Sequence, residues 1–179
     1  MNIDSLILLD NPNKASKSVA YKFNLPIFEV DQSLINLLIE TSKLNLKKNI
    51  RFCLHDDSES LMQKMLIFER KEMFYPPHIH KNRDESHIVL KGDLELFVLN
   101  NNGAVLKRIV NSYKDKKIST VPPNFAHLTR PLTDFVIYLE IKNGPHTSFQ
   151  NDCFIPKPHN LKMMSNDDYD LYLDGFKNN

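Results

Sequence analysis

The sequence predicts a mainly β protein, a barrel or sandwich of short strands with one helix before it and a short helix after it. Three observations carry this. From residue 49 to residue 143, short runs rich in Val, Ile, Phe and Tyr recur about every ten residues, as they do in sandwiches and barrels. Turn-forming residues separate the runs, most clearly Asn101-Asn102-Gly103, a hairpin signal. Helical spacing is strongest at Leu34, Ile35, Leu37 and Leu38, just after Asp31.

Residues 1–27 are polar, are broken by Asn11-Pro12-Asn13, and are expected to form an extension, loosely ordered or laid across a partner surface. The main domain is expected over 28–158. It begins with a helix capped by Asp31 that ends near 44–48. Strands are expected at 50–55, 65–70, 86–90, 94–99, 104–110, 118–121 and 135–141, where β-branched and aromatic residues concentrate. In the tail, 159–179, Ser165 followed by Asp168 signals a short helix over 169–176 packed on the barrel. No internal repeat and no second domain are visible.

Composition narrows the function. The chain has 179 residues, enough for one domain with a core that needs no staples. Its 23 Lys and Arg nearly cancel 22 Asp and Glu, so no basic field argues for nucleic acid or an anionic membrane. The run Leu6-Ile7-Leu8-Leu9 is too short for a signal-peptide core, and nothing approaches the roughly 20 apolar residues of a membrane helix. Two distant cysteines, Cys53 and Cys153, permit one disulfide but not a disulfide framework. A cytoplasmic protein with reduced thiols is the expectation.

The chemistry concentrates in histidines. Tyr75-Pro76-Pro77-His78-Ile79-His80 places two imidazoles at i and i+2, which on a strand face the same way. A turn follows, then Glu85, and Gly92 closes the next strand with a residue that tolerates tight turning. His127 comes after Pro122-Pro123-Asn124, at the start of a later strand. Three imidazoles and a carboxylate suit one borderline divalent ion (Fe, Mn, Zn or Ni) with positions left for water or substrate. Strand parity aims His87 into the same interior as Glu85. It suits a general base, a substrate contact, an outer partner of the metal ligands, or a packed interior histidine.

At these residues the chain resembles the cupins. Their first motif runs Gly-x5-His-x-His-x4-Glu-x6-Gly; His78, His80, Glu85 and Gly92 match it, while Glu72 replaces the opening glycine. The second, Pro-x-Gly-x2-His-x3-Asn, matches at Pro122 and His127, with Asn124 at the glycine and Pro131 at the final Asn. Arg51-Phe52-Cys53-Leu54-His55, Gln63, the Tyr75-to-His80 segment and Glu140-Ile141-Lys142-Asn143-Gly144-Pro145 further resemble the WbuC-type cupin-fold metalloproteins, over about residues 30–156 on a motif reading. Those are encoded among bacterial genes for surface polysaccharide (lipopolysaccharide O-antigen) synthesis. The resemblance implies a jelly-roll barrel, a bound metal and a polysaccharide setting.

Other residues take candidate roles around the metal. His55, in a segment the resemblance covers, is a second candidate base at the barrel mouth. Tyr75 and Tyr138 are candidates to line a sugar-sized pocket, although such aromatics are also ordinary core. Arg51, Gln63 and Lys142 are candidates to bind hydroxyls or phosphate. His146 and His159, in Pro-flanked loops, read as surface residues, and Phe154-Ile155-Pro156 as a cover for a barrel end. Three functions are expected to compete: a sugar or nucleotide-sugar isomerase, epimerase or lyase; a non-haem Fe(II) oxygenase; and a non-catalytic sugar-binding or regulatory module. A homodimer paired through barrel edges is expected, with the N-terminal extension as its bridging element.

Overall fold

The structure, a computed structural model, describes residues 3–9, 17–27, 29–73, 75–100 and 102–146, and the backbone of 153–154. The expected helix over 169–176, His159 and the side chains of Phe154, Ile155 and Pro156 lie outside the described residues.

Two sheets make the body. The larger contains, from edge to edge, β1 (Leu6–Leu8), β2 (Ser18–Phe23), β3 (Asn49–Cys53), β4 (Met62–Arg70), β11 (Phe135–Asn143), β6 (Glu85–Lys91) and β9 (Ile118–Val121). The smaller runs β12 (Cys153–Phe154), β5 (His78–His80), β10 (Ala126–Pro131), β7 (Asp93–Leu99) and β8 (Val105–Ser112). All pairings are antiparallel except β2 with β3, which are parallel and joined through helix α1 (Gln32–Lys43). A parallel pair needs such a crossover, because a tight hairpin cannot return the chain in the same direction.

That crossover explains the position of the helix. Asp31 caps it, its Oδ1 accepting from the backbone N–H of Leu34 at 2.9 Å. Leu34, Leu37 and Leu38 pack on Val19, Ile50, Phe52, Leu66, Phe68 and Ile137, all buried. These strand residues share one face of the large sheet. Their neighbours in sequence, Ala20, Arg51, Cys53, Met65, Ile67 and Tyr138, therefore point the other way, toward the small sheet. The helix seals one face and leaves the other to build an interior.

The N-terminal segment departs from expectation. Instead of lying loose, it supplies two strands of the large sheet. The signal is present in the sequence: Val19, Tyr21 and Phe23 alternate with Ser18, Ala20 and Lys22, a period of two that fits a strand. The turn after Asn100 joins β7 to β8, with Asn100 Oδ1 accepting from the N–H groups of Asn102 and Ala104 and Gly103 at φ +84°. Gly92 also has positive φ, +78°, and a Cβ there would lie 2.6 Å from the Phe135 carbonyl oxygen. Cys53 is half-buried on β3. No helix among the described residues is long and apolar enough to cross a membrane.

Candidate metal centre

Four side chains from both sheets converge. His78 and His80 come from β5 and His127 from β10, where His127 pairs directly across from His78. Glu85 opens β6 on the facing sheet. One ligand atom from each of the four lies within 4.8 Å of all the others. The His78 ring centroid is 4.5 Å from that of His127 and 5.0 Å from that of His80. Asn124, at the motif's glycine position, adopts φ +69° and donates its N–H to the His80 carbonyl at 2.8 Å. The left-handed geometry is one that Asn tolerates, so the departure from glycine keeps the turn.

The protonation pattern fits a cation. The Nδ1 atoms of His78 and His127 lie 3.1 Å from the carbonyl oxygens of Pro76 and Phe125. A carbonyl only accepts, so each Nδ1 carries a proton and each Nε2 is the atom left to face the cluster. His127 Nε2, almost fully buried, makes no hydrogen bond and lies 3.4 Å from Glu85 Oε1. Such an approach is favourable when positive charge is shared between the two atoms, as a proton on the ring or a metal ion provides. Burial, reinforced by His127, lowers the His78 pKa to about 3, so the imidazole stays neutral. Burial pushes the Glu85 carboxyl up, but the Lys142 ammonium and the surrounding imidazoles outweigh it and hold the group well below its ordinary value. Neutral imidazoles and an ionised carboxylate are the forms that bind metal. The set fits one borderline divalent ion.

Sheet register supplies the surroundings. Lys142 lies directly across from Glu85, and Glu140 across from His87. Lys142 Nζ sits 2.7 Å from Glu140 Oε1 and 3.7 Å from Glu85 Oε2. His87 is fully buried with Nε2 2.9 Å from Glu85 Oε1, so it stands behind the carboxylate. Deeper still is Glu69, also fully buried, which accepts from Tyr138 OH at 2.8 Å and from Thr129 Oγ1 at 3.0 Å. Parity could have found both carboxylates: Glu140 lies between Tyr138 and Lys142 at i+2 spacing, and Glu69 two residues beyond Ile67.

Burial raises the Glu69 pKa from 4.5 to about 7, against the hydrogen bonds from Tyr138 and Thr129 and with help from Glu140 and Glu85. A carboxyl with a raised folded pKa stabilises the protein below its unfolded pKa, and that contribution is lost as pH rises through the folded one. Glu69→Gln should remove this dependence. Relative to the variant, the wild type is expected to lose on the order of 3 kcal/mol between pH 4.5 and 7. Urea unfolding of both proteins at pH 4.5 and 8 measures it, and an equal stability difference at the two pH values refutes it.

The remaining candidates divide between two adjoining chambers. A cavity of about 170 Å³ holds the cluster together with Tyr75, Tyr138, Arg51 and Lys142. Arg83, Thr129 and Glu140 also line it and escaped the sequence reading. His55 and Gln63 line a neighbouring chamber of about 400 Å³ and do not line the first. Gln63 Nε2 donates to the carbonyls of Asp57, Ser58 and Ser60 at 3.2, 3.3 and 2.8 Å, which fixes the 57–60 turn. His55 Nδ1 lies 2.9 Å from the Lys64 carbonyl. His146 is exposed, as expected, but stands at the boundary of both chambers.

Comparison with solved structures places this architecture. The chain superposes on CapF bound to the inhibitor 3-isopropenyl-tropolone with a TM-score of 0.51 at 14% identity, covering 60% of this chain. CapF from Staphylococcus aureus in another crystal form, described as a capsular polysaccharide assembling protein, gives 0.51 and 14% over 60%. The fold is a cupin barrel. The match spans 31% of the CapF chain, so this chain covers less than a third of that protein. Oxalate decarboxylase from Lactobacillus farciminis gives a TM-score of 0.44 at 13% identity, over 67% of this chain and 32% of that chain. A family model described as a domain of unknown function, DUF6016, matches residues 30–110. No curated protein matches the sequence.

Proposed function

We propose that this cupin is a metal-dependent enzyme acting on a sugar or nucleotide-sugar intermediate of bacterial surface polysaccharide synthesis, of isomerase, epimerase or lyase type. One observation carries the reading: three imidazoles and a carboxylate converge on the wall of a cavity that also presents tyrosine, arginine and lysine. His78, His80, Glu85 and His127 would hold the ion, which when bound supplies Lewis acidity toward a substrate oxygen. The polysaccharide setting is supported by the resemblance to WbuC-type proteins and agrees with the description of CapF.

The chain's own groups fill the other roles. Tyr75 and Arg51 contact the substrate from the cavity wall. Lys142, whose ammonium is held charged by Glu140 and Glu85 against the effect of burial, presents a hydrogen-bond donor beside the cluster. Tyr138 reaches the cavity and hands its hydroxyl proton toward Glu69, a pair suited to moving a proton without water. His87, shut away behind Glu85, acts as a positioning residue for that ligand. His55 is left to the outer chamber.

Metal analysis of anaerobically purified protein, followed by incubation of the loaded protein with a panel of nucleotide sugars, tests the proposal. Product formation lost in Tyr138→Phe supports it. Oxygen uptake with iron as the resident metal would instead favour the oxygenase. Sugar binding with no turnover across the panel would leave a binding module.

A further inference from the structure

The large sheet does not end where the metal cluster ends. Its inner face continues through β11, β4 and β3 to β2, and register orders the residues in rows. Ala20 pairs with Arg51, which pairs with Ile67 and then Tyr138; Lys22 pairs with Cys53, then Met65, Glu140 and His87. In the next row Gln63 lies across from Lys142, and Lys142 across from Glu85. The floor under the metal cluster and the floor of the second chamber are therefore one surface. Arg51, Lys142 and His146 line both chambers. The N-terminal segment supplies the far wall, Leu9 just after β1 and Ala20 and Lys22 on β2.

Two observations define the occupant. The inner chamber, about 170 Å³, is smaller than the roughly 300–1,000 Å³ of pockets that hold a whole small ligand, so a whole ligand at the cluster extends beyond it, and the outer chamber continues the same floor. Charge on the outer floor is one-sided. The residues of β2, β3 and β4 that line it are Ala20, Lys22, Arg51, Cys53, Gln63 and Met65, two cations and no carboxylate. The acids of this chamber, Asp56 and Asp57, are exposed on the loop at its rim. Asp57 Oδ1 is engaged by the N–H of Glu59 at 2.9 Å.

We propose that the outer chamber is a phosphate subsite, in which Arg51 and Lys22 bind the phosphate-bearing arm of a ligand whose other end lies at the metal cluster. The arm is a monophosphate or a diphosphate. Arg51 offers a planar fork of donors and Lys22 a point charge, the two forms in which proteins hold phosphate oxygens. The placement of the ligand's other end rests on the function proposed above; the anion site itself does not.

Titration calorimetry of the metal-free full-length protein with inorganic pyrophosphate tests this, because with no metal present the probe reports on the chamber alone. Wild type is expected to bind it, Lys22→Ala and Arg51→Ala to weaken binding about tenfold or more, and Lys107→Ala, which removes an exposed cation on β8 outside both chambers, to leave it within about twofold. Thermal melts confirm that the variants are folded, and Arg51→Lys, which keeps the charge without the fork, is expected to recover part of the loss. No binding by wild type at millimolar pyrophosphate, or equal binding by Lys22→Ala, overturns the subsite. A protein that takes up no metal yet binds pyrophosphate through Lys22 would refute the metal-enzyme reading and leave the subsite standing.

Discussion

Loading the metal-free protein with a divalent ion is expected to raise its melting temperature by about 8–16 °C when the free ion stands a thousandfold above its dissociation constant. Binding at that ratio contributes about 4 kcal/mol, and a chain of this size shifts by about 2–4 °C for each kcal/mol. Glu85→Gln should remove the gain, since it replaces the sole anionic ligand of the group while preserving its shape. Acid should act in the same direction. The His78 pKa is depressed to about 3, so its neutral form contributes stability above the ordinary pKa of about 6.5, and that contribution is lost as pH falls from there toward 3. Protons also compete with the ion for the imidazoles, so the metal-dependent shift should shrink over that window. Melts with Zn, Mn, Fe(II) and Ni, with and without chelator, at pH 5 and 7.5, measure both effects. An unchanged shift in Glu85→Gln, or no shift with any of the four ions, would falsify the ligand assignment.

Gly144→Ala should cost about 3 kcal/mol, the upper end of ordinary overpacking, and lower the melting temperature by roughly 6–12 °C. A Cβ at this position would lie 1.9 Å from the Ser60 carbonyl oxygen and 3.2 Å from Gln63 Nε2. The nearer atom belongs to the backbone, and that backbone is tied down. Gly144 donates its N–H to Leu61 O at 2.8 Å and His146 donates to Ser58 O at 2.6 Å. Gln63 clamps the same turn from inside. Asn143→Ala, at an exposed neighbouring position, is the control and should fall within about 0.5 kcal/mol of wild type. If Gly144→Ala melts with that control, the close approach is not a constraint on the fold.

Much of the barrel was legible because its signals are local. The strand at 118–121 was read with its observed bounds, and those at 94–99 and 135–141 differ from the observed strands only at their ends. Asp31 was legible as a cap because its partner is three residues away. The cluster was legible for a different reason: i and i+2 histidines on a strand must share a face, and the turns at Gly92 and Asn124 have the backbone angles those residue types permit. What escaped depends on pairing between distant segments. Nothing near Lys22 indicates that β2 will lie parallel to β3, because the decision is made by a helix that must cross between them. Parity likewise put His87 on the interior face but carried no information about depth, which is set by Tyr138 and Glu140 on the adjacent strand.

The shared floor of the two chambers has an evolutionary consequence. The four cluster residues and the turns that orient them all fall after residue 75, whereas Leu9, Lys22, Arg51, His55 and Gln63 fall before it. The ligand set and the β2–β4 floor of the outer chamber are thus inherited on separate stretches of one gene and meet through the sheet. Substitutions in β2 and β3 are expected to change the group accepted at the far end while the ligand set keeps its sequence. Divergence among relatives of this protein is therefore expected to concentrate in β2 and β3, altering what is bound faster than what is done to it.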